Sequence, residues 1–232
     1  TPKPCQQCAQ QSFTMPIIAL VNQKGGTGKT TASVHLSYWL SQKHKILLVD
    51  ADAQQSSSLW FKAVQFDSDE HYLVESNPED LFERLPQLAS QNEYVVVDGP
   101  GSLSEVTKAI LARCDLALIP CQPSGLDLHS SSQIIRFIRH AQELRGGWPK
   151  AGLFLSRATK GTTLLKEAQE VLSDNIVPLL ESLIYQRQCV ADAPGQGKTV
   201  FQMTQTSAKE AAKDYQRLFN EALEMLNDCT TK

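Results

Sequence analysis

The sequence predicts an α/β fold built on a mostly parallel, doubly wound central sheet with helices on both faces. Short runs rich in Val, Ile and Leu recur at 17–21, 45–50, 94–98, 116–120 and 152–156, with a weaker one at 179–185. They are nearly continuous in apolar residues rather than alternating, as strands buried on both faces require. Segments of helical period fill the gaps at 29–42, 78–89, 103–112, 126–143 and 162–173. Strand, helix, strand alternation implies right-handed parallel crossovers. A chain of 232 residues, 41% hydrophobic and 20% charged, can bury one such core. Residues 15–232 are expected to form this single domain, and 1–14 a flexible leader before Met15.

In sheets of this kind ligands bind beyond the carboxyl ends of the strands, so the residues after each strand carry the information. The first strand runs into Val21–Thr31, VNQKGGTGKTT. This nearly matches the phosphate-loop pattern G-x-x-x-x-G-K-[ST], with Gly28, Lys29 and Thr30 in place. Gln23 stands where the first glycine belongs, and Lys24 is an additional cation. Gly25, Gly26 and Gly28 leave backbone N–H groups open, Thr27 and Thr31 complete the loop, and the helix starting near Lys29 turns its positive end toward an anion. Lys29 can then reach phosphate oxygens and Thr30 can offer a hydroxyl to Mg²⁺, a cation that takes oxygen ligands.

The segment 45–50 ends on the first residue of D-A-D-A-Q-Q, and 94–98 is followed by G-P-G-S. Asp50 and Asp52 alternate around Ala51, so one can support the loop while the other meets an attacking water. Asp98 stands where nucleotide hydrolases hold Mg²⁺, directly or through water, and Gly-Pro-Gly permits a backbone that follows the γ-phosphate. An aspartate at a strand end is ordinarily a cap or turn residue. Three of them on the edge that bears the phosphate loop favour the functional reading.

With these motifs assembled, the chain resembles the ParA/MinD group of P-loop ATPases, and so the three-layer P-loop NTPase fold. Its deviant Walker A motif K-G-G-x-x-K-[ST] corresponds to Lys24–Thr30, D-A-D-A-Q to its second motif, V-V-V-D-G-P-G to its Walker B and switch, and P-C-Q-P-S-G-L-D to its next nucleotide-side segment. The resemblance implies ATP and Mg²⁺ as ligands and a homodimer that sandwiches two nucleotides. Lys29 would hold β- and γ-phosphate, Thr30 would ligate Mg²⁺, Asp98 would act on the metal through water, and Asp52 would orient the hydrolytic water. Lys24 would reach the partner subunit's nucleotide. Catalysis would thus fall to Lys24, Lys29 and Asp52, and ATP binding to Lys24, Gly25, Gly26, Thr27, Gly28, Lys29, Thr30 and Thr31. The phosphate loop's early position suggests the small single-domain kind, which includes plasmid partition and McdA-like carboxysome positioning proteins. Such proteins are weak ATPases that bind DNA without sequence preference until a cargo-associated adaptor stimulates hydrolysis. The expected location is cytoplasmic and nucleoid-associated. A MinD-like membrane-associated ATPase and a nucleotide-dependent scaffold without turnover are the alternatives.

The formal net charge is −3, so DNA contact would need a local patch. Arg157, Lys160, Arg187, Lys198, Lys209 and Lys213 are the candidates, interleaved with acids. Cys114, Cys121 and Cys189 read as core residues of a reducing compartment, and the Cys5-x-x-Cys8 pair lacks a partner pair for a metal site. A second Gly-Lys-Thr at 197–199 follows no strand directly and reads as a surface turn. The stripe of Tyr215, Leu218, Phe219, Ala222, Leu223 and Leu226 within 209–226 reads as core packing. Its polar face carries Glu221, Glu224 and Asp228 where a membrane surface favours cations, so no membrane partner is expected.

Overall fold

The computed structural model describes residues 15–64, 71–173 and 175–228, those at 125–131 by backbone alone. The expected leader with Cys5 and Cys8, Cys229, and the side chain of Asp127 lie outside the described residues. Among the described residues the chain runs β1 (Ile17–Leu20), α1 (Lys29–Ser41), β2 (Ile46–Asp50), α2 (Ser56–Ala63), β3 (Tyr72–Val74), α3 (Pro78–Gln91), β4 (Tyr94–Asp98), α4 (Glu105–Arg113), β5 (Leu116–Cys121), α5 (Gly125–Leu144), β6 (Lys150–Ala158), α6 (Thr163–Ser173), β7 (Leu179–Tyr185), α7 (Gln188–Asp192) and α8 (Thr206–Asn227). The strands form one parallel sheet in the order β3-β2-β4-β1-β5-β6-β7.

The apolar strand runs are continuous because both faces are covered. Ile17, Ala19, Leu47, Val49, Val95 and Val97 pack under α3 to α6, while their neighbours Ile18, Leu20, Ile46, Leu48 and Val96 pack under α1, α2 and α8. Each buried Leu, Ile or Phe contributes roughly 1.5–3 kcal/mol, so these two cores carry the stability of the sheet.

Three elements escaped the sequence reading: β3, α2 and the five-residue α7. β3 is only three residues long and half exposed at the sheet edge, too short for a periodic signal. The α2 segment SSSLWFKA is rich in serine, and its left-handed N-cap, Gln55 at φ 53°, carries no side-chain cap. β6 extends two residues beyond 152–156 at each end, and α8 begins at Thr206 rather than at 209. The second Gly-Lys-Thr is more than a surface turn. Pro194–Gln196 is exposed, but Thr199 and Val200 are buried because the strap is bonded to two helices. Trp60 Nε1 donates to the Lys198 carbonyl at 3.0 Å, and the Val200 amide donates to His35 Nε2 at 3.1 Å. His35 is therefore neutral with its proton on Nδ1, which donates to the Thr31 carbonyl at 2.7 Å.

α8 packs as expected. Tyr215 stacks on His35 with ring centroids 4.5 Å apart, and Leu218, Phe219 and Ala222 are buried. No helix among the described residues is long and apolar enough to cross a membrane.

The register brings strand ends level: Leu20 and Asp50 both pair with Asp98. Gly99 N–H donates to the Leu20 carbonyl at 3.0 Å, and a Cβ on Gly99 would lie 2.8 Å from that same oxygen. Only glycine lets β4 leave the sheet so close to β1. Gly99→Ala should therefore lower stability by about 1–3 kcal/mol, as overpacking does, measured as the urea midpoint. Gly25→Ala, whose Cβ would meet nothing within 4 Å, is the neutral control.

Candidate nucleotide site

α1 begins without a side-chain cap and without an acid in its first turn. α3 shows the contrast: Asn77 accepts from the Glu79 and Asp80 amides at 2.9 and 3.2 Å. The first N–H groups of α1 thus remain oriented toward the strand edge, where a phosphate can take them. Gly26 and Gly28 hold the loop open at φ 76° and 100°, a region that penalises other residues.

The sheet braces this loop from the far side. Asn22 Nδ2 donates to the Pro120 carbonyl at 2.7 Å, Gln122 Nε2 to the Gly26 carbonyl at 2.8 Å, and Ser156 Oγ to the Thr27 carbonyl at 2.5 Å. The loop is shaped before a ligand arrives, which lowers the ordering cost of binding.

Lys29 folds back under the loop. Its ammonium is buried and donates to the Lys24 carbonyl at 3.1 Å. Burial lowers its pKa, with the carboxylates of Asp98 and Asp52 opposing that shift. Two unit charges about 4 Å apart interact by about 4 kcal/mol at an effective dielectric of 20, yet here desolvation prevails. An anion entering the loop would relieve that imbalance.

Asp98 has no exposure. Burial pushes its carboxyl up to about 7; the hydroxyls of Thr30, Ser33 and Ser57 on the facing helices oppose this, while the Asp50 charge adds to it. Ser33 Oγ lies 3.0 Å from Asp98 Oδ1, whereas Oδ2 is buried with no formed hydrogen bond among the described residues. Asp50 is the supporting member of its pair: Oδ2 accepts the Ser58 amide at 2.8 Å and Oδ1 the Asp52 amide at 3.2 Å. Asp52 is half-buried, and its Oδ1 accepts the Gln54 amide at 3.0 Å.

The three loops meet. Ala51 N–H donates to the Asp98 carbonyl at 3.0 Å, and a Cβ on Gly101 would lie 3.7 Å from Gly25 Cα and 3.9 Å from Lys29 Nζ. Lys24 is half-buried in the loop, and Thr30 and Thr31 open α1. Ser33, Ser57 and Ser156 were missed by the sequence reading, and Gln122 entered it only as part of the P-C-Q-P-S-G-L-D segment. Of the three serines, Ser33 had a local signal, one helical turn after Lys29.

The six basic candidates separate. Arg157, at φ 51°, and Arg187 line a cavity of about 220 Å³ beside the phosphate loop, together with Gly28, Thr31, Gln186 and Tyr215. Arg187 is neutralised by Asp214. Lys160 and Lys213 line a neighbouring cleft with Arg187, Arg217 and the acids Glu210 and Asp214, and Asp214 pairs with Arg217 at 2.5 Å as well. Lys209, Lys213 and Arg217 share one exposed face of α8 at four-residue spacing, and Lys198 is exposed on the strap.

His35 and Asp98 predict opposing pH effects. Burial holds His35 down to about 4, so below its unfolded value near 6.5 the unfolded chain takes up the proton and stability is lost as pH falls. Asp98 is raised, so its contribution is lost as pH rises from about 4 to about 7. Asp98→Asn should remove the second slope. The variant's stability should rise steadily from pH 4 to 6.5 and exceed wild type at pH 8, by about 4 kcal/mol at most, measured by urea unfolding without nucleotide.

Residues 18–200 match the family model described as the CobQ/CobB/MinD/ParA nucleotide binding domain. Maintenance of carboxysome distribution protein A from Halothiobacillus neapolitanus is 31% identical over 217 residues, covering 93% of this chain and 98% of the relative. Its namesake from Gloeobacter kilaueensis is 32% identical over 210 residues, covering 88% and 93%. The McdA–ATP complex from Cyanothece superposes with a TM-score of 0.71 at 18% identity, covering 92% of this chain and 98% of that one. MinD from Pyrococcus horikoshii, complexed with Mg-ADP, gives 0.69 at 21%, covering 94% and 99%. By this match over most of its length, the chain belongs to the CobQ/CobB/MinD/ParA nucleotide-binding domain family.

Proposed function

We propose that this protein is an ATP-hydrolysing positioning switch of the ParA/McdA type, whose MgATP-bound homodimer holds DNA without sequence preference until a cargo-associated adaptor stimulates hydrolysis. The observation that carries the reading is the Lys29 ammonium, buried beneath an uncapped helix start and acted on by the carboxylates of Asp98 and Asp52. The two carboxysome distribution proteins at 31% and 32% identity support a protein assembly as cargo over a plasmid.

The donor set fits Mg²⁺: the Thr30 hydroxyl and the buried Asp98 carboxyl are oxygen ligands, and Asp98 Oδ2 lacks a formed hydrogen bond. Thr30 would hold the ion directly and Asp98 through water. Bound there, the ion would neutralise charge on the phosphate oxygens. Lys29 and the amides at the start of α1 hold the β- and γ-phosphates. Gly101, beside Lys29 and Gly25, reports the γ-phosphate to the 99–104 segment.

The Gln54 amide fixes the Asp52 carboxylate through Oδ1 and leaves Oδ2 to accept a hydrogen bond from the attacking water. The water oxygen bonds to the γ-phosphorus as the bond to the β–γ bridging oxygen breaks, giving ADP and phosphate. Lys24 acts on the partner subunit's nucleotide, so its contribution exists only in the dimer and couples nucleotide state to association.

For DNA, the face of Lys209, Lys213 and Arg217 with nearby Lys160 is the best supported surface. Arg157 and Arg187 belong to the nucleotide-side cavity on this reading.

Asp52→Ala should keep ATP affinity within about twofold while lowering turnover at least tenfold, leaving the dimer retained on DNA in a salt-dependent manner. Unchanged turnover would remove Asp52 from the mechanism. Lys24→Ala should bind ATP as a monomer but fail to dimerise with it; light scattering at dimer mass would overturn action across the interface.

A further inference from the structure

Away from the nucleotide edge, α3 and α4 enclose a groove of about 520 Å³ lined by Pro78, Glu79, Phe82, Glu83, Glu105, Lys108, Ala109 and Ala112. Its floor is apolar, formed by Pro78, Ala109, Ala112 and an exposed Phe82. Phe82 is held in place: the Arg113 guanidinium lies 3.6 Å from its ring centroid, and Arg113 Nε donates to the Phe82 carbonyl at 2.8 Å. A rigid, exposed aromatic ring in a groove is the form binding anchors take.

The rim is acidic. Glu79, Glu83 and Glu105 are all exposed, and the rim cation Lys108 is already paired with Glu105 at 2.6 Å. Neither Glu79 nor Glu83 has an ion pair among the described residues. Two carboxylates without an ion pair among the described residues, beside an apolar floor, complement a segment that presents bulky apolar side chains flanked by Lys or Arg. The groove's volume admits one or two such side chains.

Its position matters for turnover. Glu105 is the first residue of α4 and follows directly on the segment 99–104, where a Cβ on Gly101 would come within van der Waals reach of Gly25 in the phosphate loop. Thr107, one turn into α4, ties the helix to that segment through a 2.8 Å hydrogen bond from Oγ1 to the Ser102 carbonyl. A ligand that moves the start of α4 therefore moves the backbone beside Lys29.

We propose that the α3/α4 groove is the docking site for a basic, amphipathic segment of a partner protein, and that its occupation is transmitted through α4 to the 99–104 segment. Only the link to turnover rests on the ATPase reading above; docking does not.

The test uses the full chain and a fluorescein-labelled twelve-residue peptide of repeating Lys-Leu-Phe-Arg, followed by anisotropy at physiological salt without nucleotide. Glu79→Gln with Glu83→Gln, and separately Phe82→Ala, should each weaken binding at least fivefold. Ala112→Gln, which fills the opposite wall, should do the same if Phe82→Ala fails to fold. Glu167→Gln with Glu170→Gln on α6, beyond α5 from α4, removes the same charge and should change binding less than twofold. Bound peptide should slow amide exchange at 78–83 and 99–109. Equal loss in both charge-neutralised pairs would reduce the effect to net charge and overturn the proposal, as would unchanged binding in the groove variants. Concentration-dependent self-association abolished by Phe82→Ala would assign the groove to a second copy instead and overturn it too. Fluorescent ATP binding, measured separately, reports on the nucleotide reading alone, so each reading can fail without the other.

Discussion

The burial of one carboxyl group, Asp98, governs the organisation of this molecule's working edge. It closes β4 at the point where the register sets it level with Leu20 of β1 and Asp50 of β2. An ionised carboxylate cannot be left there without partners, because losing water costs far more than one hydrogen bond returns. Thr30 and Ser33 of α1 and Ser57 of α2 therefore converge on it, and the ammonium of Lys29 is drawn close enough to feel its charge. Even so, burial prevails at both Asp98 and Lys29. The site carries an electrostatic demand that the two apolar cores offset, and a phosphate with its metal ion answers that demand.

α1 distributes the consequence. Its start is uncapped toward the phosphate loop, its second turn supplies Ser33 to Asp98, and His35 joins the strap at Val200 and the ring of Tyr215. Eight of its residues are buried, far more than one face, because sheet, α2 and α8 cover it from several sides. A helix packed this way moves as a unit with its neighbours or not at all. That packing links the nucleotide edge to α8, the helix that carries the basic face.

The net charge of −3 conceals a division of labour. Lys160, Lys213 and Arg217 line one cleft with Glu210 and Asp214 among them, Lys209 lies one turn before Lys213 on α8, and Glu79, Glu83 and Glu105 rim the α3/α4 groove. With a screening length of about 8 Å at physiological salt, each patch acts on its own surroundings, and the overall charge tells little about either.

The sequence by itself determined the fold class and the phosphate loop, because both rest on contiguous signals. Apolar runs without alternation demand a sheet covered on both faces, and glycines with lysine between a strand and a helix create an anion site wherever that order occurs. Alternation around Ala51 required one of Asp50 and Asp52 to be a support, and the family resemblance gave the water to Asp52; the amides of Ser58 and Asp52 on Asp50 agree with that division. The tertiary structure decided what depends on partners distant in the chain. Ser156 braces Thr27 across 129 residues, and Val200 caps His35 across 165. β3 and α2 carry too little periodicity to announce themselves. Arg157 and Lys160 stand three positions apart, yet one lines the cavity by the phosphate loop and the other the cleft beside α8. No local pattern separates them, because what distinguishes them is the burial and charge of the elements that close around each.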